Sequence, residues 1–316
     1  MYCQPNTRNV TARLSRCWLS PCGRLILVGA SALAMLCDTQ VSSLLAGSPV
    51  LPPLATAGSP RLPGKIVWAD LVTDDLPAAA KFYAELFGWR FTTEGDYTIA
   101  LNDERPLCGI LQRPRPKDRP VQPRWFGYIS VRNVEGAERT VTRLGGRVLA
   151  APHKFPKRGE QAVFADPEGA VFGVMKSSSG DPQDFLAEPG DWIWVQLLSR
   201  DARKAAEFYQ AVARYEVVEN TATNRLSDCV LVSEGYARAT VRTIPSTNTQ
   251  VQPTWLPFVR VNNVGESVAR AKELGGEVRI EPRPELFDGK VAVVADPTGA
   301  AIGLLEWSQD LLKGGH

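Results

Sequence analysis

The chain has 316 residues, 44% of them hydrophobic and 22% charged, which is enough for two domains with cores of their own. Its formal charge of +2 is unevenly spread: residues 1–63 carry Arg8, Arg13, Arg16, Arg24 and Arg61 against Asp38, and the remaining 31 bases and 33 acids sum to −2. A folded part without a basic stripe argues against nucleic acid as a partner, and the two histidines, His153 and His316, exclude a multi-histidine metal centre.

Residues 1–37 read as a signal peptide or lipoprotein-type leader. The first four arginines form a basic region, and Leu25 to Leu36 form an apolar stretch of signal-core length, too short to span a bilayer comfortably. Ala32-Leu33-Ala34 offers a small-residue cleavage site, and Cys37 stands where a lipidated cysteine would, although Leu36 before it is large for that pattern. The expectation is an exported protein of the cell envelope, periplasmic or anchored as a lipoprotein if bacterial, with membrane attachment through the N-terminus left open. Residues 38–63 are rich in Pro, Ala, Ser and Gly, the composition of a linker.

Folded sequence begins with an alternating run, Ile66 to Thr73, that places Trp68, Asp70 and Val72 on one face of a strand. Asp75 stands as an N-cap, Leu76, Ala79, Phe82, Tyr83 and Leu86 follow at helical spacing, and Gly88 ends the helix. Short strands are expected around Tyr97 to Leu101 and Leu107 to Gln112. The pattern then restarts with a strand over Trp125 to Val131, a cap at Asn133, and a helix over Val134 to Leu144 closed by Gly145-Gly146. Strands follow over Arg147 to Ala150, Gln161 to Ala165 and Val171 to Met175, the last two joined by a turn at Asp166-Pro167-Glu168-Gly169. Strand, helix and about three strands therefore make one unit.

The whole arrangement recurs about 130 residues later. Gln122-Pro123-Arg124-Trp125 returns as Gln252-Pro253-Thr254-Trp255, the Asp166 turn as Asp296-Pro297-Thr298-Gly299, Phe82-Tyr83 as Phe208-Tyr209, and Trp68 as Trp194. Two domains are expected, at 64–178 and 190–308. Cys108 and Cys229 do not match between the copies, so no symmetric disulfide framework is implied.

The capped Phe-Tyr helices, the Leu-Gly-Gly closures and the Asp-Pro-x-Gly turns, in this order and twice over, resemble the vicinal oxygen chelate superfamily, the fold of glyoxalases, bleomycin resistance proteins and extradiol dioxygenases. The resemblance covers about four-fifths of the chain. It implies an α+β fold of two tandem domains, each of two βαβββ units forming a curved, cup-like mixed sheet with the ligand inside. Members that do chemistry hold a divalent ion through His, Glu or Gln on the cup strands. The resemblance places those ligand positions at Trp68, Phe126 and Gly173 in the first cup and at Trp194, Leu256 and Gly303 in the second, none of which can bind a metal through its side chain. Neither metal nor cofactor is therefore expected.

What the cups offer instead is aromatic. Trp68 and Trp194 either wall a planar ligand or fill the space of the missing metal. Asp70 shares the face of Trp68 and has Gln196 as its counterpart, so the two cups differ. Buried, Asp70 would act as a general base or hold a cation; at the rim it would simply be paired. Tyr128, like Tyr97 and Tyr236, brings a hydroxyl, and His153 is expected on a loop able to close over the ligand. These residues point to an exported or tethered protein that binds a small, partly aromatic organic molecule without metal, as bleomycin resistance proteins capture theirs. The enzymatic alternative is a glyoxalase-like lyase or dioxygenase-type enzyme with Asp70 as base, and whether any reaction is catalysed stays open. A third reading has both cups filled by side chains, as an assembly module. Replacing Asp70 by Asn is expected to leave the fold intact.

Overall fold

A computed structural model describes residues 51–95, 97–113, 122–219 and 227–307. The leader and the first part of the linker lie outside these residues. Among the described residues no helix is long and apolar enough to cross a membrane.

Four βαβββ units follow one another. The first comprises β1 (Ile66–Thr73), α1 (Leu76–Phe87), β2 (Arg90–Glu94), β3 (Tyr97–Asn102) and β4 (Arg105–Gln112). The second comprises β5 (Arg124–Ser130), α2 (Val134–Arg143), β6 (Arg147–Phe155), β7 (Gly159–Ala165) and β8 (Val171–Ser177). Together they build one eight-stranded sheet in the order β2-β3-β4-β1-β5-β8-β7-β6, with β1 parallel to β4 and antiparallel to β5. The third and fourth units repeat this with β9 (Trp192–Ser199), α3 (Ala202–Ala213), β10 (Glu216–Glu219), β11 (Cys229–Ser233), β12 (Tyr236–Thr243), β13 (Thr254–Val261), α4 (Val264–Glu273), β14 (Glu277–Ile280), β15 (Val291–Ala295) and β16 (Ala301–Glu306). Neither sheet closes, so the expected pair of cups is present.

The helix starts follow from their caps. Side chains of Asp75, Asn133, Asp201 and Asn263 accept from backbone amides three residues on, which satisfies donors that a first helical turn leaves free. Strand β2 escapes sequence reading because its residues are almost all exposed and give no apolar alternation. Strand β6 runs past the expected Ala150 to Phe155 and tolerates Pro152 because it lies at the sheet edge. His153 is therefore on a strand, opposite Gln161, and not on a closing loop as its sequence context suggests.

The domains share their cores. Val134, Val141, Phe164 and Phe172 of the second unit pack with Leu197, Phe208 and Tyr209 of the third. Leu71, Phe82, Tyr83 and Trp89 of the first pack with Val259, Val264 and Ile302 of the fourth. The repeated motifs supply a reciprocal clasp. Trp125 Nε1 donates to the Tyr83 hydroxyl at 2.9 Å, and that hydroxyl donates to Asp296 of the other domain at 3.0 Å. Trp255 donates to Tyr209 at 2.9 Å, and Tyr209 to Asp166 at 3.0 Å. Asp166 Oδ1 also receives the amides of Glu168 and Ala170, so the turn and the clasp use opposite oxygens of one carboxylate.

Residues 51–63, linker by composition, are packed on the first domain. Leu51 is buried in the first cup, Ser59 N donates to Ser179 O, and Leu62 N donates to Asp181 Oδ2. Their backbone groups find fixed partners, which composition alone does not reveal.

Candidate functional site

Alternation on β1 sends Ala69 and Leu71 towards the helices and Trp68 and Asp70 into the first cup. There Asp70, only 3% exposed, is the centre of a hydrogen-bond cluster. Its Oδ1 accepts from the Tyr97 hydroxyl at 2.6 Å and Trp68 Nε1 at 3.0 Å, and its Oδ2 from the Tyr128 hydroxyl at 2.9 Å. The Arg158 guanidinium lies 4.2 Å from the centre of the Trp68 ring, is 1% exposed, and has no acceptor for any of its three nitrogens. Leu51, Ile99, Phe126, Phe155 and Met175 fill the remainder.

Burial pushes the Asp70 carboxyl above the ordinary carboxylate range; the hydroxyls of Tyr97 and Tyr128, the charge of Arg158 and the Trp68 N–H pull it part of the way back. With the folded value above the unfolded one, the contribution of Asp70 to stability is complete below the unfolded carboxylate value of about 3.9 and is lost as pH rises through the folded value. The unfolding free energy of the wild type minus that of Asp70→Asn should therefore fall as pH is raised from about 4 to about 7 in urea titrations. A difference that stays flat or rises over that range would contradict this assignment.

The positions where the family would hold a divalent ion do not fit one. Trp68 Nε1 is committed as a donor. A Cβ at Gly173 would overlap the Tyr128 ring, and one at Gly303 the Phe258 ring, so no ligating side chain fits at either. Gly109 faces Asp70 for the same reason, since a Cβ there would overlap the Tyr97 hydroxyl. Among the described residues no three His, Cys, Asp or Glu side chains gather into a metal-binding group.

The second cup is less polar and less tightly closed. Trp194 Nε1 and Gln196 Nε2 both donate to Thr240 Oγ1, at 3.0 and 3.2 Å, and Phe258 stands where Tyr128 stands in the first. Trp194 and Gln196 are half-buried where Trp68 and Asp70 are buried. The Asp-to-Gln difference thus separates a sealed, charged cup from a partly open, neutral one.

Open space lies between the domains. A cavity of about 760 Å³ is lined by both repeat-equivalent indoles, Trp68 and Trp194, and by Phe126, Trp192, Trp255 and Phe185. Its size and mainly apolar walls, six of them aromatic side chains, at a domain interface are those of a small-molecule site. Lys65, Arg105, Asp184 and Arg238 supply the charge. Lys65 Nζ lies 3.0 Å from Asp184, Arg238 Nη1 lies 2.8 Å from it, and Arg105 Nη2 lies 2.7 Å from Asp191.

Of the residues singled out from sequence, Trp68 and Trp194 meet at this cavity. Asp70 and Tyr128 lie together inside the first cup, Gln196 lies in the second, and His153 packs edge-on against Phe155 at 4.7 Å. Sequence reading missed Arg158, Lys65, Arg238 and the connector residues Asp184 and Phe185. Only charges in otherwise apolar surroundings could have marked them, and their surroundings are tertiary.

Comparison with known proteins agrees with this architecture. A family model described as the glyoxalase/bleomycin resistance protein/dioxygenase superfamily matches residues 65–174, and one described as a glyoxalase-like domain matches residues 192–305. Anthracycline biosynthesis protein DauV of Streptomyces sp. (strain C5) is 30% identical over 260 residues, 77% of this chain and 94% of its own. Anthracycline biosynthesis protein DnrV of Streptomyces peucetius has the same identity and coverage. Among solved structures, the Mn(II)-bound glyoxalase of Novosphingobium aromaticivorans superposes with a TM-score of 0.51 at 16% identity, over 78% of this chain and 82% of that one. Homoprotocatechuate 2,3-dioxygenase of Brevibacterium fuscum gives 0.53 at 12%, over 82% and 84%. At such identities the likeness to these two is one of fold.

Proposed function

The chain belongs to the glyoxalase/bleomycin resistance protein/dioxygenase superfamily, and we propose that it binds a small, planar, partly aromatic organic molecule between its two domains, without a metal. One observation carries this reading: indoles that the repeat makes equivalent, Trp68 and Trp194, line a single cavity of about 760 Å³. The names of the two relatives, which connect them with anthracycline biosynthesis, support a fused-ring ligand. The side chains at the family's ligand positions support a metal-free mode.

Neutral planar probes test it. 2-Naphthol and 9-fluorenone should quench tryptophan fluorescence saturably, with one site per chain. Ala237 lines the cavity and is exposed, so Ala237→Trp should occupy the cavity without disturbing a core and weaken binding at least about tenfold, or about 1.4 kcal/mol. Equal affinity in wild type and variant would move the ligand elsewhere.

Export belongs to the same reading, supported by the basic run Arg8 to Arg24 and the apolar run that follows it. Mass spectrometry of the mature protein should find an N-terminus within residues 35–38; an intact Met1 on cell-envelope protein would contradict cleavage.

A further inference from the structure

We infer that the ligand carries a carboxylate or similar planar anion, and that Arg238 holds it; this rests on the reading that the inter-domain cavity is the binding site. Arg238 lies on β12 and lines that cavity. Its side chain is 5% exposed. Nη1 donates to both oxygens of Asp184, at 2.8 and 2.9 Å, while Nε and Nη2 are buried and have no acceptor. Nε and Nη2 form one edge of the guanidinium, with two parallel N–H bonds at the spacing of a carboxylate's oxygens. Donors kept from both water and protein acceptors are costly, and a ligand that supplies two acceptors removes that cost.

Charge points the same way. Asp184 is the one carboxylate among the described residues that line the cavity, and it serves two cations, Arg238 at 2.8 Å and Lys65 at 3.0 Å. Lys65 also donates to Pro182 O at 2.6 Å. Arg105, the third cation of the lining, is matched by the buried Asp191, whose two oxygens it contacts at 2.7 and 2.9 Å. Lys65 and Arg238 share Asp184, and the charge of the buried Asp181 also acts on Lys65, so Arg238 is the less fully matched of the two, which suits a monoanion. The three groups come from different places, Lys65 from the first domain, Asp184 from the connector and Arg238 from the second domain. The anion subsite therefore exists only when the domains are docked. Tyr236, whose ring centre is 5.0 Å from the guanidinium carbon, covers the arginine and is itself exposed, so it is the side chain a ligand would move.

Isothermal titration with 2-naphthoate and 2-naphthamide, which share a ring system and differ in charge, tests the inference on the intact chain. The wild type should bind 2-naphthoate at least about tenfold more tightly than the amide. Arg238→Met should abolish that preference and leave amide affinity within about twofold. Arg238→Lys, which keeps the charge but loses the two-donor edge, should retain only part of it and serves if Arg238→Met does not fold. Equal affinity for the two probes in the wild type, or a preference that survives in both variants, would overturn the anion subsite while leaving an aromatic cavity. Failure of both probes to bind the wild type would remove the cavity reading and the subsite together.

Discussion

Asp70→Ala is expected to lower the unfolding free energy by about 3–5 kcal/mol, the range for removing one member of a buried charged network. Two buried hydroxyls, of Tyr97 and Tyr128, lose their acceptor at once, and Trp68 Nε1 loses one of its two, keeping the Tyr97 oxygen at 2.8 Å. Arg158, which has no hydrogen-bond acceptor of its own, loses the neighbouring negative charge as well. The second half of that account is separable. Adding Arg158→Met to Asp70→Ala removes the stranded cation and should recover about 1–3 kcal/mol, measured by urea titration of the two singles and the double. A double variant no more stable than Asp70→Ala would mean that Arg158 and Asp70 are not coupled. In Asp70→Asn an amide group would put a donor where Asp70 now only accepts, so that variant is expected to fold with reduced stability.

The clasp between the domains should be nearly as sensitive. Tyr209→Ala removes a fully buried ring between Phe172, Phe208 and Trp255 and should cost about 3–5 kcal/mol. Tyr209→Phe keeps the ring but strands Trp255 Nε1 and Asp166 Oδ2, for about 1–3 kcal/mol. Tyr83→Phe should behave alike through Trp125 and Asp296. Tyr236→Phe, on an exposed ring, is the control and should change little. If both clasp variants match that control in a denaturant titration, the reciprocal hydrogen bonds do not hold the domains together.

These two networks show what was legible in the sequence. Elements on which burial alternates, such as β1 with Trp68 and Asp70 inward and Ala69 and Leu71 towards the helices, announce themselves by period and cap. The exposed β2 and the packed segment 51–63 carry no such period, and their places depend on contacts more than a hundred residues away in the second case. The repeated motifs were the clearest signal in the chain, yet Tyr83, Trp125, Asp166, Tyr209, Trp255 and Asp296 join the domains, and of these only Trp255 also lines the cavity. A sequence repeats wherever the same contact must be made twice, and here that contact is the domain seam.

The candidate site was half visible. Trp68 and Trp194 could be picked out because they stand at corresponding strand positions of both copies. Arg158 could not, because it sits beside Lys157 in the turn between β6 and β7, where a charge ordinarily reads as solvated. Asp184 and Phe185 belong to the connector between the domains, where no repeat pattern exists to mark them. Physical contact across the seam, which sequence spacing does not encode, is what turns two aromatic strands and a connector into one cavity.

Fluorine NMR of 5-fluorotryptophan protein, titrated with 2-naphthoate, tests the central claim most directly. Trp68, Trp192, Trp194 and Trp255 line the cavity, whereas Trp307 does not. Binding between the domains should shift the four lining resonances together, with one dissociation constant, and leave Trp307 in place. Shifts confined to Trp194 would put the ligand in the second cup alone, and no saturable shift at the four lining indoles would contradict an inter-domain site.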